Sequence, residues 1–583
     1  MIQLNKDEKG DWEGSKCMEL KLLGNLDYKK VKNVVTDALE VDLSEKDELI
    51  DIVQGLESEL KETERKYNEM SDDNEMKSEV AHSIDILNKL IYDTKERITK
   101  CNRAEKLITD IQEIEKARGA EVVSAAGRLS RAAGDVLKIV GLSENKTLEQ
   151  NTKFASAVIG MGHDSISDHF YGVFAIKDVS PIVEQTLIEE RFASFTIKSR
   201  REVNFADVGF YVPDFHDKDG NIIPNNEEVK KDYCEYMKSL FASYQSLVDQ
   251  NIPMEDARFV LPYSYHSNII MGMDAHCIKD LIIKLTKTKY ANISELREFG
   301  EKMYDIVKEQ MPYLVPIIEN AEVQEKDAVD NFLDEQIADK NKYLTDIKIP
   351  KMLNKPTDVD RRICLAALMR RYQYSKEMAE EVLDELIAKD PEFMEKLIKK
   401  IAFEGDGLEL TQVSFTYQIP LSLAILTHLT RHRTHDIMTP DFVDLDKSRY
   451  VTPPKVKAIC EEQYNKIYEE TVKKYEQYKN EYGIREEDLI YFTLSGVIAD
   501  SITNMDGKTL RHILRLRECT KAQWETRNMA YGIHNEINKL EGAENYSSIL
   551  GATCTTQGIC NEGKECCGKV YKLKNCKMPP KAE

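Results

Sequence analysis

The sequence predicts an α+β protein: two tandem mixed α/β units behind a helical N-terminal extension. Three observations carry this. The first 118 residues hold apolar stripes at helical spacing between charged faces. Two later stretches, FYGVFAIKDVSPIVEQ and VSFTYQIPLSLAIL, each read as a β-branched or aromatic strand turning into a helix at a proline. These stretches belong to a long internal repeat, because KLTKTKYANISELREF resembles RLRECTKAQWETRNM further on. Lys284 to Arg515 and Ala291 to Ala522 are each 231 residues apart and Arg297 to Arg527 is 230, as one insertion between two diverged copies gives.

Taken in order, residues 1–118 form the helical extension, a hairpin or coiled-coil-like arm. Ser44 followed by Asp47 resembles a capping signal, with Leu49, Val53, Leu56 and Leu60 recurring behind it. SDDNE at 71–75 breaks the pattern, which resumes through Val80, Ile84, Leu87 and Ile91, and again through Leu107, Ile111 and Ile114. Residues 119–318 form the first mixed unit, with strands in FYGVFAIKDV and VNFADVGFYVP and a helix around KDLIIKLT. Residues 319–358 are polar and read as a linker. The second unit, 359–545, has VSFTYQIP as a strand and TLRHILRLRECTKAQWETRNMA as one long helix. Residues 546–583 are a cysteine-rich tail.

The 583 residues carry 81 basic and 103 acidic side chains, a net charge of −22. An acidic chain of this size repels a phosphate backbone, so nucleic acid is not an expected partner. No apolar run reaches the roughly 18 residues of a membrane span, and the N-terminus lacks a secretory signal, so a cytoplasmic setting is expected. A small anionic substrate stays open, since a pocket needs only a few convergent arginines.

The sharpest cluster is LTRHRTHDIM, with Arg431, His432 and Arg433 consecutive. Three such side chains cannot all face a core. They form either a solvated basic patch or a fork toward phosphate or a polarised ring. Downstream stand SRY at 448–450 and a stretch in which Arg511, Arg515, Arg517 and Arg527 mix with Leu510, Ile513, Leu514 and Trp524. On a helix the apolar residues share one face with Arg517 at its rim, a position suited to holding an anionic oxygen. Surface ion pairs are the other reading of these arginines.

Together these residues resemble the flavin-dependent thymidylate synthase family. The likeness rests on RHR at 431–433, SRY at 448–450, LRLR at 514–517 and AQWETR at 522–527, with GHDSISDH at 162–169 and ARFVLP at 257–262 in the first copy. It implies FAD as cofactor and methylation of dUMP to dTMP, with methylenetetrahydrofolate as carbon donor and NADPH as reductant. Arg431, His432 and Arg433 inherit flavin contacts, as does His169, for which an ordinary core histidine is the alternative. Arg449, Tyr450, Ser199, Arg201, Lys508, Arg517 and Gln523 inherit substrate contacts, and Arg517 and His169 the catalytic roles. Arg517 beside a ring carbonyl would stabilise the enolate-like charge that builds on the uracil.

The departures are complementary. The first copy replaces the triplet by Glu189, Glu190 and Arg191, has Glu202 for the tyrosine, and places Thr286 at the Leu-Arg arginine. It keeps Ser199 and Arg201. The second copy keeps the triplet, has about six extra residues before SRY, and carries Gln412 for the histidine and Lys508 for an arginine. One composite site fed by both copies is therefore expected, and a homodimer would rebuild the family's four-unit core. The alternatives are a diverged member acting on another pyrimidine nucleotide, and a non-catalytic flavin- or nucleotide-binding protein. In the tail, Cys554, Cys560, Cys566 and Cys567 are a candidate zinc set; a flexible thiol-bearing tail and redox chemistry are the other readings.

Overall fold

The computed structural model describes residues 18–23, 28–71, 76–324, 326–337 and 347–568. In the first half the elements that position the site are β1 (Glu19–Leu23), α1 (Lys46–Glu69), α2 (Lys77–Leu129), β2 (Tyr171–Val179), α3 (Pro181–Ile188), β3 (Ala193–Ile197), α4 (Asn226–Asp249), β4 (Ser267–Asp274), α5 (Ala275–Lys287) and α6 (Ser294–Gln310). In the second half they are β5 (Lys351–Met352), β6 (Ser414–Ser422), α7 (Leu423–Thr430), β7 (Asp436–Met438), α8 (Glu461–Asn480), β8 (Ile498–Asp506), α9 (Gly507–Arg517) and α10 (Trp524–Ile537).

Each half builds a four-stranded antiparallel sheet of the same topology, β1-β2-β4-β3 and β5-β6-β8-β7. The repeat in sequence is thus a repeat in space, and the fold is α+β in two copies. The edge strands β1 and β5 come from the stretches upstream of residues 119 and 359. Local devices are duplicated too. Ser180 donates its N–H and hydroxyl to the buried Glu295 carboxylate (2.8 and 2.5 Å), and Ser422 does the same to Glu525 (2.8 and 2.7 Å). Asp274 caps α5 by accepting from the Cys277 N–H, as Asp506 caps α9 from Thr509.

The halves join through a short antiparallel contact. Tyr263 N–H donates to Thr493 O (2.8 Å), Ser495 N–H to Leu261 O (2.9 Å) and Gly496 N–H to Phe259 O (2.9 Å). This pairs Pro262 with Leu494 on the pseudo-twofold axis and makes Arg258 the counterpart of Ile490. Helices α4 and α8 pack beside it, and Tyr233, Tyr263, Tyr265, Tyr464, Tyr468, Tyr478 and Tyr491 are wholly buried there. Full burial of one such ring contributes on the order of 2–3 kcal/mol, so the two copies share one core.

The arm is an antiparallel hairpin of α1 on the first part of α2, a helix about 80 Å long at its usual rise. Leu49, Val53, Leu87 and Ile91 are buried between them, while Leu107 and Ile114 are exposed. Asp42 caps the first turn by accepting from the Ser44 N–H, which corrects the capping role read for Ser44 itself. The break at SDDNE falls mostly outside the described residues.

Two other expectations are corrected. VNFADVGFYVP forms no strand: Phe205, Phe210, Tyr211 and Val212 are buried by aromatic packing and touch the ladder through one bridge, Phe210 to Tyr265. The long helix over 509–530 is two helices, α9 and α10, because Gln523 Oε1 accepts the N–H groups of Glu525 and Thr526 and starts a new helix. Among the described residues no helix is long and apolar enough to cross a membrane.

Candidate functional site

The site forms where the last turn of α7 and of α9 meet the segment after β3. Ser422 and Glu525 fix the start of α7, which delivers His428 and, at its C-cap, Arg431. Asp506 starts α9 with Leu510, Ile513 and Leu514 inward, which sets Arg517 at the rim of that face. Arg517 Nη2 donates to His428 O (2.7 Å) and its Nε to His432 Nε2 (3.0 Å). From the first unit come Ser199, whose hydroxyl accepts from the Arg201 N–H, and Arg201, whose Nη2 reaches Lys521 O at 3.4 Å. Arg201, Arg258, Arg431 and Arg517 all act electrostatically on His428, so both halves of the chain supply one cationic cluster.

Burial and these arginines push the His428 imidazole well below its ordinary pKa. Burial, then Arg517 and His512, lower His432 to about 3, so both rings are neutral at pH 7. Burial, Arg431 and Arg201 bring Arg517 down to about 10. Arg258 is 2% exposed, and its Nη2 is buried without a partner. Burial and the neighbouring Arg200 lower it to about 10 as well. Arg200 is neutralised by Glu184 (2.9 Å) and Arg201 by Glu255 (2.9 Å). Arg258, Arg431 and Arg517 have no carboxylate of their own among the described residues, which leaves a cluster that a dianion would neutralise.

Sequence reasoning named Arg431, His432, Ser199, Arg201, Arg517 and Gln523, and the structure brings these together. Gln523 serves as the α10 cap, with its Nε2 buried and unpaired. Arg433 reaches across the boundary instead, donating to Ala193 O and to Ser194 Oγ (2.9 Å). Four residues lie elsewhere or are engaged elsewhere. Arg449 is paired with Asp500 and donates to Ile347 O, in a cavity of about 580 Å³ that also holds Tyr450 and Trp524. Tyr450 stacks on Tyr468 at 3.8 Å. Lys508 is exposed at the opposite end of α9, near Asp406. His169 is exposed, lining a cavity of about 350 Å³ with Arg118, Glu121 and Leu129, so it is no core histidine. Sequence reasoning gave no role to Arg258, His428, Arg200 or Glu184. Arg258 stood in a recognised segment, but only its burial with an unpartnered Nη2 marks it. Counted from the equivalent caps Asp274 and Asp506, Arg517 falls opposite Leu285, one residue before Thr286.

The pseudo-symmetric twin of this site is filled by the chain itself. Glu189, in place of Arg431, accepts from Thr439 Oγ1 (2.6 Å), and Glu190 pairs with Lys284 (2.8 Å). Lys289 pairs with Asp441 and Asp330 (2.7 Å each), and Arg191 with Asp436 (3.0 Å). Thr439 and Asp441 lie in the insertion before SRY. As for metal, no group of three or more His, Cys, Asp or Glu side chains among the described residues is arranged to hold an ion. Cys554, Cys560, Cys566 and Cys567 are thus not gathered into such a group among the described residues. Cys576 lies outside the described residues.

Fold and site together define a tandem α+β protein with one cluster of arginines assembled from both copies. The sequence profile of the family described as thymidylate synthase complementing protein matches residues 113–313 and 351–540, one match per copy. The chain belongs to that family. It is 30% identical over 157 residues to the flavin-dependent thymidylate synthase of Geobacter sulfurreducens, covering 26% of this chain and 62% of that protein. To the enzyme of the same name from Clostridium tetani it is 29% identical over 219 residues, 34% of this chain and 84% of that one. A solved UMP/dUMP methylase, PolB from Streptomyces cacaoi, aligns at 20% identity and a TM-score of 0.30 over 35% of this chain and 92% of its own.

Two measurements bear on the geometry. Arg433→Ala is expected to lower the stability of the fold by about 1–2 kcal/mol, the worth of one or two lost hydrogen bonds. Thermal unfolding checks it, and an unchanged Tm would mean the contact across the boundary is idle.

The pH dependence of stability follows from the buried groups. His266 and His435, at about 4, join His428 and His432 below the ordinary 6.5, all chiefly through burial. In the unfolded chain all four take up protons below about 6.5, so each withdraws stability as pH falls. Burial raises Glu295 and Glu525 to about 7, against 4.5 unfolded, and these two act in the opposite sense across 4.5–7. With His512 also lowered and Glu189 also raised, five histidines stand against three glutamates, so on balance stability falls as pH drops from 6.5 to 4.5, each net proton being worth about 1.4 kcal/mol per unit. Thermal unfolding at pH 6.5, 5.5 and 5.0 should show Tm falling steadily. A rising Tm would show that the histidines are not held neutral.

Proposed function

We propose that the chain methylates dUMP to dTMP in a flavin-dependent reaction, with methylenetetrahydrofolate as carbon donor and NADPH as reductant. The observation that carries this is the meeting of Arg201 and Arg258 from one copy with Arg431 and Arg517 from the other. Such a cluster suits a phosphate monoester, and the unpartnered Arg258 Nη2 and the absence of a hydrogen bond on the Arg431 guanidinium among the described residues fit a bound anion. Arg201 and Arg258 hold the nucleotide phosphate. Arg517, kept in line by His428 O and His432, donates to the uracil carbonyl and stabilises the negative charge that grows on the ring. Neutral His432 leaves the Arg517 guanidinium with an acceptor and no competing cation.

Arg431, His432 and Arg433 would hold FAD, which when bound supplies the hydride and carbon-transfer chemistry. His169 faces away from this cluster, so its flavin contact would be made to a second chain. A homodimer forming a pseudo-tetrameric core supplies that chain. The two enzyme units run from β1 and from β5, with the α1–α2 arm inserted in the first.

The test is the visible spectrum of the full chain with FAD, reduced and then mixed with dUMP and methylenetetrahydrofolate. The expected result is a flavin spectrum that bleaches and returns as dTMP forms. Flavin cycling without dTMP would point to another pyrimidine nucleotide, and no flavin binding would overturn the reading.

A further inference from the structure

We propose that the segment 434–446, β7 with the extra residues that follow it, is a permanent internal plug of the twin cleft, so that each chain takes one nucleotide although it carries two copies of the fold. This rests on the reading of the first cleft as a nucleotide site. The pseudo-twofold axis through Pro262 and Leu494 maps every element of that cleft onto a second location. There the triplet of α7 becomes Glu189, Glu190 and Arg191 at the end of α3, Arg258 becomes Ile490, and Arg517 becomes the buried Leu285.

Substitution alone would leave an open acidic hollow with Lys284, Lys289 and Arg191 around it. The chain itself closes it, through β7, the residues after it and one pair within the first copy. Thr439 donates to Glu189, Asp441 takes Lys289 and Asp436 takes Arg191, while Glu190 takes Lys284. Phe442 lies on the Tyr263 ring at 5.6 Å, which anchors the segment beside the axis. The contrast decides the assignment. In the first cleft three arginines lack a carboxylate among the described residues, whereas in the twin each cation has one from the chain itself. An incoming phosphate would have to break these pairs and would meet the side chains of Glu189 and Glu190. The extra residues therefore do not retune the live pocket. They replace a ligand where the duplicated fold no longer needs one.

Two measurements on the FAD-loaded full chain test this. The first is the stoichiometry of dUMP binding by equilibrium dialysis, with one per chain expected. Two per chain would overturn the plug and leave the function standing. Absence of dUMP binding would instead sink the nucleotide reading, and the second measurement then decides the plug without any ligand. It is a double-mutant cycle of Lys289→Ala and Asp441→Ala read by thermal unfolding. If the segment is seated, the double variant loses no more Tm than the worse single variant. Strictly additive losses would show that the two side chains do not meet and would overturn the proposal.

Discussion

Arg517→Ala is expected to lower kcat for dTMP formation about 100- to 1,000-fold, the usual cost of removing one aimed donor from a charge-stabilising site. Its guanidinium bridges two parts of the cleft, holding His428 O through Nη2 and His432 through Nε. Those bonds leave the fork aligned before substrate arrives. The side chain is only half-buried, so its loss should cost the fold little beyond one or two hydrogen bonds. Arg517→Lys should recover little, because an ammonium cannot meet both acceptors and still donate to a ring carbonyl. Steady-state kinetics with dUMP varied separates the roles. A fall in kcat with KM nearly unchanged marks a donor that acts on the developing charge, whereas a rise in KM alone would make Arg517 a ground-state ligand. Activity within threefold of the parent in both variants would remove it from the mechanism.

The same residue shows what sequence carries and what it does not. Leu510, Ile513 and Leu514 at helical spacing already place Arg517 at the rim of an apolar face, and α9 confirms it. The helix was nonetheless read too long, since Glu518 to Gln523 contain no glycine or proline. What ends it is the new cap at Gln523, which no local pattern announces. Strands β2 and β6 were legible because alternation faces one core; the 203–213 stretch shares their composition but spends its aromatic rings on packing against Tyr233, Phe241 and Tyr265. The complementary losses in the two copies foretold a composite cleft. Arg258, His428 and Glu184 were beyond reach, because their importance lies in burial and in which neighbours lack a partner. The Arg449 pairing was out of reach for the same reason: SRY matches in letters, and nothing in them shows that Asp500 stands across from the arginine.

Glu184 is where stability and the cleft meet, and Glu184→Ala is expected to destabilise the protein by about 3–5 kcal/mol, as removal of one partner from a buried ion pair does. Glu184 is 1% exposed and Arg200 7%. Glu184 accepts from Arg200 Nη2 and from the Ser267 hydroxyl, while Arg200 also contacts the Tyr265 hydroxyl and reaches Thr427 of the second copy at 3.4 Å. Burial alone would lower the Arg200 pKa, but the carboxylate raises it above its ordinary value, so the charge stays and needs its partner. Arg200 lies between Ser199 and Arg201, which means that a guanidinium driven out toward water carries with it the segment proposed to bind phosphate. Activity should therefore fall along with stability. The double variant Glu184→Leu with Arg200→Met separates the two effects. Replacing the whole pair by apolar side chains removes the stranded charge, and most of the lost stability should return. The tether to Thr427 does not return, so affinity for dUMP should stay reduced. Chemical denaturation and dUMP titration of the three proteins check this, and a loss under about 1 kcal/mol in Glu184→Ala would mean that Arg200 finds water or another acceptor without moving the segment.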